Sequence, residues 1–238
     1  MTMLSVVQNF CRRTNIPVPT TVYGTTDSQV QQVMSLLEEI GNDMASRGSW
    51  EGLTFEAAHT TLAAEDQGAI NSIATNGFRY LKNDTIWDRS TRLPVCGPLD
   101  AKQWQALKAW VVNGPLYQYR IRGGKLLVNP APPASESWYF EYVSQNWILG
   151  ADGTTYKQYF TLDTDTILLP ETVVLMGLRA WWKKEKGLDY AEDMRMYETQ
   201  LKDSLGRDGS KTTISMDLKS RRGPTPGIFV SPGSWNVP

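Results

Sequence analysis

Few residues in this chain could do chemistry. One histidine, His59, and two cysteines, Cys11 and Cys96, are all the imidazole and thiol among 238 residues. That count excludes clustered-cysteine zinc sites, multi-histidine metal centres and iron–sulfur ligation. A Ser-His-Asp or Cys-His catalyst must use His59. His59 shares the apolar side of a period-two run with Leu53, Phe55 and Ala57, and no Gly-x-Ser-x-Gly elbow accompanies it, so a hydrogen-bonded structural histidine is expected. Asp163-Thr-Asp165 puts two carboxylates on one side of an extended segment, with Asp152-Gly153 nearby, and a calcium ion could use them. The run lacks the full acidic loop and its distal glutamate, so a turn or cap role is expected instead. Arg122-Gly-Gly-Lys125 has neither the spacing nor the Ser/Thr of a phosphate-cradling loop. No cofactor is expected.

What is abundant is large aromatic surface, with nine tryptophans and ten tyrosines, the side chains enriched where proteins meet partners. Trp181 and Trp182, adjacent in a helical pattern, point about 100° apart. One can fill the core while the other meets a neighbouring subunit, and both are candidate interface residues. A formal charge of −1 gives no whole-chain field for holding nucleic acid or an anionic membrane. The N-terminus does not read as a signal peptide, and the most apolar window, Ile167 to Trp182, is broken by Pro170, Glu171 and Arg179, so no membrane span is expected. A reducing cytosol is the expected compartment of synthesis.

The elements that must position these residues are legible as periods. Residues 2–13 space Met3, Val6, Val7 and Phe10 as a short helix ended by the Pro17 and Pro19 segment. Thr26 with Gln29 resembles a capping box, followed by a stripe of Val30, Val33, Leu37, Ile40 and Met44 up to Gly48. A strand starts at Trp50. Tyr119 to Val128 is a hairpin turning at Gly123-Gly124, with Ile121 opposite Leu126 and Tyr119 opposite Val128. Trp138, Phe140 and Tyr142 alternate with Tyr139, Glu141 and Val143, a strand bulky on both faces and therefore central or interfacial. Residues 100–110 insert one helix with Trp104, Leu107 and Val111 as its buried side. Pro170 opens a helix ending near Lys183 to Gly187, and residues 189–205 form a second with a Tyr190, Met194, Tyr197, Leu201, Leu205 seam. These two should form an antiparallel hairpin against the Val30 to Met44 helix.

The expected fold class is α+β: an antiparallel helical bundle of N-terminal helices (1–49) and a C-terminal hairpin (166–206), an inserted β-rich domain (50–165) with one short helix, and an extended arm (207–238). The arm is dense in Gly, Pro, Ser and basic residues and should not fold alone. It nevertheless carries Ile228, Phe229, Val230 and Trp235 as apolar anchors and Lys219, Arg221 and Arg222 as cations, a pattern that suits ordering on a partner.

The order of several segments resembles a known family. Thr85-Ile-Trp-Asp-Arg-Ser-Thr-Arg-Leu-Pro-Val-Cys-Gly-Pro-Leu99, then Gln103-Trp104-Gln105, then the Gly-Gly hairpin closing on Val128-Asn-Pro-Ala-Pro132, is similar to the middle of phage head-to-tail adaptor proteins. So are Phe140 to Ser144 with Trp147, Asp163 to Thr166 leading to Leu169-Pro-Glu171, and Trp182 through Lys186-Gly-Leu-Asp-Tyr190 with Tyr197-Glu198. The resemblance is to tail tubular protein A-like adaptors of short-tailed phages and related head-completion or connector proteins, over most of residues 30–209. The loop from Gly68 to Arg79 departs from it, lacking a firm strand and a proline before Trp87.

The resemblance implies a non-catalytic virion protein, assembled in the host cytoplasm as a homo-oligomeric ring, a dodecamer, beneath the portal protein. The arm residues Lys219, Arg221, Arg222, Ile228, Phe229, Val230 and Trp235 would dock on the portal. The opposite face would receive the tail nozzle or tube, and DNA would pass through the channel without tight binding. Two other classes stand beside it from the residues alone: a monomeric aromatic binding module, for example for carbohydrate, and a hydrolase using buried carboxylates.

Overall fold

A computed structural model of the chain describes residues 1–109, 114 and 116–209. Among them the fold is mixed α+β, with six α-helices and antiparallel sheets. Helix α1 (Met3–Thr14) buries Met3, Val6, Val7, Phe10 and Cys11. It starts where the Thr2 hydroxyl accepts from Ser5 N–H and ends at Asn15, whose left-handed φ of 56° lets the chain turn away. Helix α2 (Ser28–Arg47) starts one residue later than the capping-box reading: Asp27, not Thr26, accepts from Gln29 N–H, because its carboxylate reaches the first free amides directly.

The strand expected from Trp50 is delayed by one 3-10 turn, Glu51–Leu53, after which β1 (Thr54–Thr60) runs as predicted. The segment Gly68 to Arg79 becomes the end of β2 (Asp66–Ala69), a single helical turn α3 (Ile70–Ile73) and the start of β3 (Phe78–Leu81). Two short strands follow, β4 (Trp87–Asp88) and β5 (Leu93–Pro94). Helix α4 (Ala101–Ala109) opens with a reciprocal capping box: Gln103 N–H donates to Asp100 Oδ1, and Asp100 N–H to Gln103 Oε1. Its Trp104 is buried and Leu107 half-buried; Val111 lies outside the described residues.

The hairpin of β6 (Gln118–Arg122) and β7 (Lys125–Asn129) has the expected register, with Ile121 facing Leu126 and Tyr119 facing Val128. Gly123 and Gly124, at φ 59° and 72°, supply the left-handed turn it needs. Strand β8 (Ser137–Ser144) is central: β1 pairs along its whole length, and β3 and β4 pair on the other side. This is why its two faces are both rich in large residues. Short strands β9 (Ile148–Leu149), β10 (Tyr156–Lys157) and β11 (Thr166–Ile167) form a third small sheet.

Pro170 is the N-cap of α5 (Glu171–Glu185) and not a first-turn residue, and α6 (Ala191–Arg207) runs through Gly206 instead of stopping there. Asp193 at the start of α6 pairs with Arg179 and Lys183 of α5. Tyr197 donates to Asp43 of α2 at 3.0 Å, and Arg47 bridges Asp43 and Glu198.

Two apolar cores result. The first joins α1, α2, α5 and α6 with Trp50, Leu53, Trp147, Ile148, Phe160 and Ile167. Two glycines permit its closest approaches, since a Cβ on Gly41 would overlap the Trp147 ring and one on Gly177 would crowd Tyr197 and Ile40. The second core lies under β8 and holds Ala57, Ile86, Val95, Tyr119, Leu126, Val128, Trp138 and Phe140. Trp147, Ile148 and Phe160 thus pack with the helices, although the sequence reading places residues 147–165 in the β-rich domain.

Candidate functional site

The sequence candidates separate in space. Trp182 is 8% exposed and packs edge-on against Phe10 at 5.7 Å, so its ring is used inside its own chain. Trp181 is half-buried, with the Lys184 ammonium 5.1 Å from its ring centre and a buried indole N–H that has no acceptor among the described residues. Of the pair, Trp181 is the one with surface to offer a neighbour. The arm residues Lys219, Arg221, Arg222, Ile228, Phe229, Val230 and Trp235 lie outside the described residues.

His59 is half-buried and its Nε2 lies 3.1 Å from Gln67 Oε1. That oxygen can only accept, so Nε2 carries the proton. Gln67 in turn accepts from Leu62 N–H and donates to Leu62 and Ala64 carbonyls, so the pair fastens the turn after β1. Asp163 and Asp165 diverge. Asp163 accepts from the backbone of Val22 and Tyr23, tying down the loop before α2. Asp165 is fully buried and accepts from Lys157 Nζ at 2.9 Å, Thr161 N–H at 2.8 Å and Leu162 N–H at 3.0 Å. Burial opposes its ionisation, but those donors outweigh it and hold its pKa below the ordinary value. Asp152 caps a turn through Thr154 and Thr155. Among the described residues no three His, Cys, Asp or Glu side chains converge on a metal position.

Two clusters that the periods did not announce are built by strand pairing. The first is a cleft of about 330 Å³ on the outer face of β8, lined by Glu56, Asp84, Thr85, Trp87, Arg89, Tyr139 and Glu141. Residue parity explains it. Since Trp138 and Phe140 point into the second core, Tyr139 and Glu141 point out, joined by their register partners Trp87 of β4 and Glu56 of β1. Trp87 is 45% exposed, and Arg89 pairs with Glu56 while lying 3.5 Å over the Tyr139 ring. Glu56 sits directly opposite Glu141, a like-charge pair that costs a sheet stability unless a cation intervenes.

The second cluster is a buried carboxyl pair. Asp88 of β4 is fully buried and accepts from Ser90 N–H and the Thr91 hydroxyl. Glu136, 9% exposed, accepts from the Trp138 indole at 3.3 Å and the Tyr117 hydroxyl at 3.4 Å. Burial first, then the charge of Asp88, raises the Glu136 pKa. Such a group could hold a proton, but it faces the core, where a substrate has no contact with it. The register that sets Asp88 opposite Trp138 was the only route to this pair.

Among the described residues no helix is long and apolar enough to cross a membrane. No protein-family model matches this chain, and the curated proteins give no match.

Proposed function

We propose that this protein is a structural virion component, a head-to-tail adaptor that forms a ring under the portal, continues the DNA channel and attaches the tail. One observation carries the reading. The chain leaves a helical core after α2, builds a strand-rich unit with its own core, and returns to the first core from Trp147 onward, through Phe160 and then α5 and α6. This arrangement supports the reading of a bundle with an inserted β-rich domain, which the resemblance of the Thr85 to Leu99, Phe140 to Ser144 and Trp182 to Tyr190 segments implies. Trp181 offers a subunit contact on the helical side, and a closed ring needs such a patch to meet a different one on the next copy. Residues 207–238, with their cations and apolar anchors, serve as the portal-docking arm. A charge of −1 suits a conduit through which DNA slides, because every fixed phosphate contact adds affinity.

Purified portal-bearing heads lacking tails test this reading. Incubated with the chain, they should acquire a discrete ring visible by electron microscopy, and native mass spectrometry should give a single ring stoichiometry. A chain that stays monomeric at all concentrations and leaves the portal bare overturns it. The exposed Trp87 beside three carboxylates favours one second reading, a monomeric carbohydrate-binding module, which predicts glycan affinity lost on Trp87→Ala and no ring.

A further inference from the structure

The cleft outside β8 has the character of a cation receptor. Glu56, Asp84 and Glu141 contribute three carboxylates, and only Arg89 among the lining residues is basic. Arg89 already demonstrates how a cation sits there, stacked on Tyr139 and paired to Glu56. The neighbouring Trp87 ring, directly across from Tyr139, has no such cation on its exposed face among the described residues.

The exit of the chain points to an occupant. Asp208 accepts from Glu51 N–H at 2.7 Å and Gly209 lies against the Glu51 side chain, so the described chain ends beside the start of β1. Glu51 holds Lys82 at 3.1 Å, and Lys82 stands 3.9 Å from Glu141 in the cleft. From Glu51 to Glu56 is five residues, part of them in the 3-10 turn, so the span is below the roughly 16 Å of fully extended chain. Lys211 follows Gly209 by two residues and Arg222 by thirteen, so extended chain reaches about 7 to 45 Å. Charge agrees with distance. Residues 210–238 carry Lys211, Lys219, Arg221 and Arg222 against Asp217, a net +3, and leave the rest of the chain at −4.

We propose that the basic stretch Lys211 to Arg222 docks in cis on the cleft formed by Glu56, Asp84, Trp87, Tyr139 and Glu141 of its own chain. The cations add to Arg89 and Lys82, which already face Glu56 and Glu141, and they meet Asp84 and cover Trp87. The cis docking is that of the free chain, since Lys219, Arg221 and Arg222 serve the portal contact in the assembled adaptor, so attachment to heads and docking on the cleft can fail separately.

Limited trypsin digestion of the full-length chain tests it, because Lys211, Lys219, Arg221 and Arg222 are themselves the cleavage sites. At low ionic strength, cleavage there should be at least about fivefold slower in the natural chain than in the Glu56→Gln/Glu141→Gln variant, as two ion pairs and a cation–π contact would give. Trp87→Ala should release part of the protection. About 0.5 M salt should abolish the difference in the natural chain alone, an arm that needs no variant. Equal rates in natural and variant chains, or protection indifferent to salt, overturns the proposal. So does protection that grows with protein concentration, which assigns the segment to the cleft of a second copy.

Discussion

Substituting Gly41 by alanine tests whether the Trp147 segment belongs to the helical core. In an exposed helix this change would stabilise by about 1 kcal/mol, from propensity alone. Here a Cβ falls under 3.0 Å from Cζ2, Cη2 and Cε2 of Trp147, a ring that is fully buried. The ring has nowhere to go: Phe160 stands edge-on at 5.3 Å, and the indole N–H donates to Asn42 Oδ1 at 2.9 Å. Overpacking of this kind costs about 1–3 kcal/mol, and rotating the ring away forfeits a hydrogen bond worth roughly 1 kcal/mol. The net expectation for Gly41→Ala is a loss of about 2 kcal/mol, or some 4–8 °C in Tm for a chain of this size. Trp147→Phe removes the far edge of the ring and should cost about 2 kcal/mol by itself, from lost burial and the Asn42 bond. Because the smaller ring vacates the space that the new methyl needs, the double variant should be little worse than Trp147→Phe alone. Urea titrations of the four proteins, followed by far-ultraviolet circular dichroism, give the coupling energy directly. Additivity within about 0.5 kcal/mol, or a stabilising Gly41→Ala, would refute this packing.

Trp182→Ala should cost about 3–5 kcal/mol by opening the core beside Phe10, whereas Trp181→Ala should cost much less and instead weaken ring formation; melting temperature and native mass separate the two. Glu136 has a folded pKa above its unfolded one, so its contribution is complete below the ordinary carboxyl range and is lost as pH rises through the folded value. Glu136→Gln should therefore raise Tm at pH 7 and flatten the fall in stability as pH rises above the ordinary carboxyl range. A chain ending at Gly209 should stay folded, lose at low ionic strength only the small stabilisation that the docked basic stretch supplies, and fail to join portal-bearing heads. Ending it at Gly206 removes the Asp208 carboxylate from Glu51 N–H and should cost about 1 kcal/mol more.

The parts that were readable from the sequence are those in which one local period fixes one burial face. The stripe of α2, the Gly-Gly hairpin with its register, and the two-sided bulk of β8 follow from side-chain alternation and turn stereochemistry. Residues 147–167 carry no sustained period, because strands of two residues gain their positions from distant partners: Trp147 from Gly41 and Asn42, Phe160 N–H from Glu38. The same is true of both polar clusters. Asp88 and Glu136 are 48 positions apart, and Glu56 and Glu141 are 85 apart, so their meeting depends on which strands flank β8 and in what register. Once that register is known, parity does the remaining work: odd positions of β8 between 139 and 141 face out with Glu56 and Trp87, and Trp138 faces in with Asp88 and His59. One-residue slippage would bury Tyr139, Glu141 and Glu56 and expose Trp138, Phe140 and Ala57. The core that forbids this slip therefore also holds the cleft's carboxylates and aromatic rings together on the solvent face.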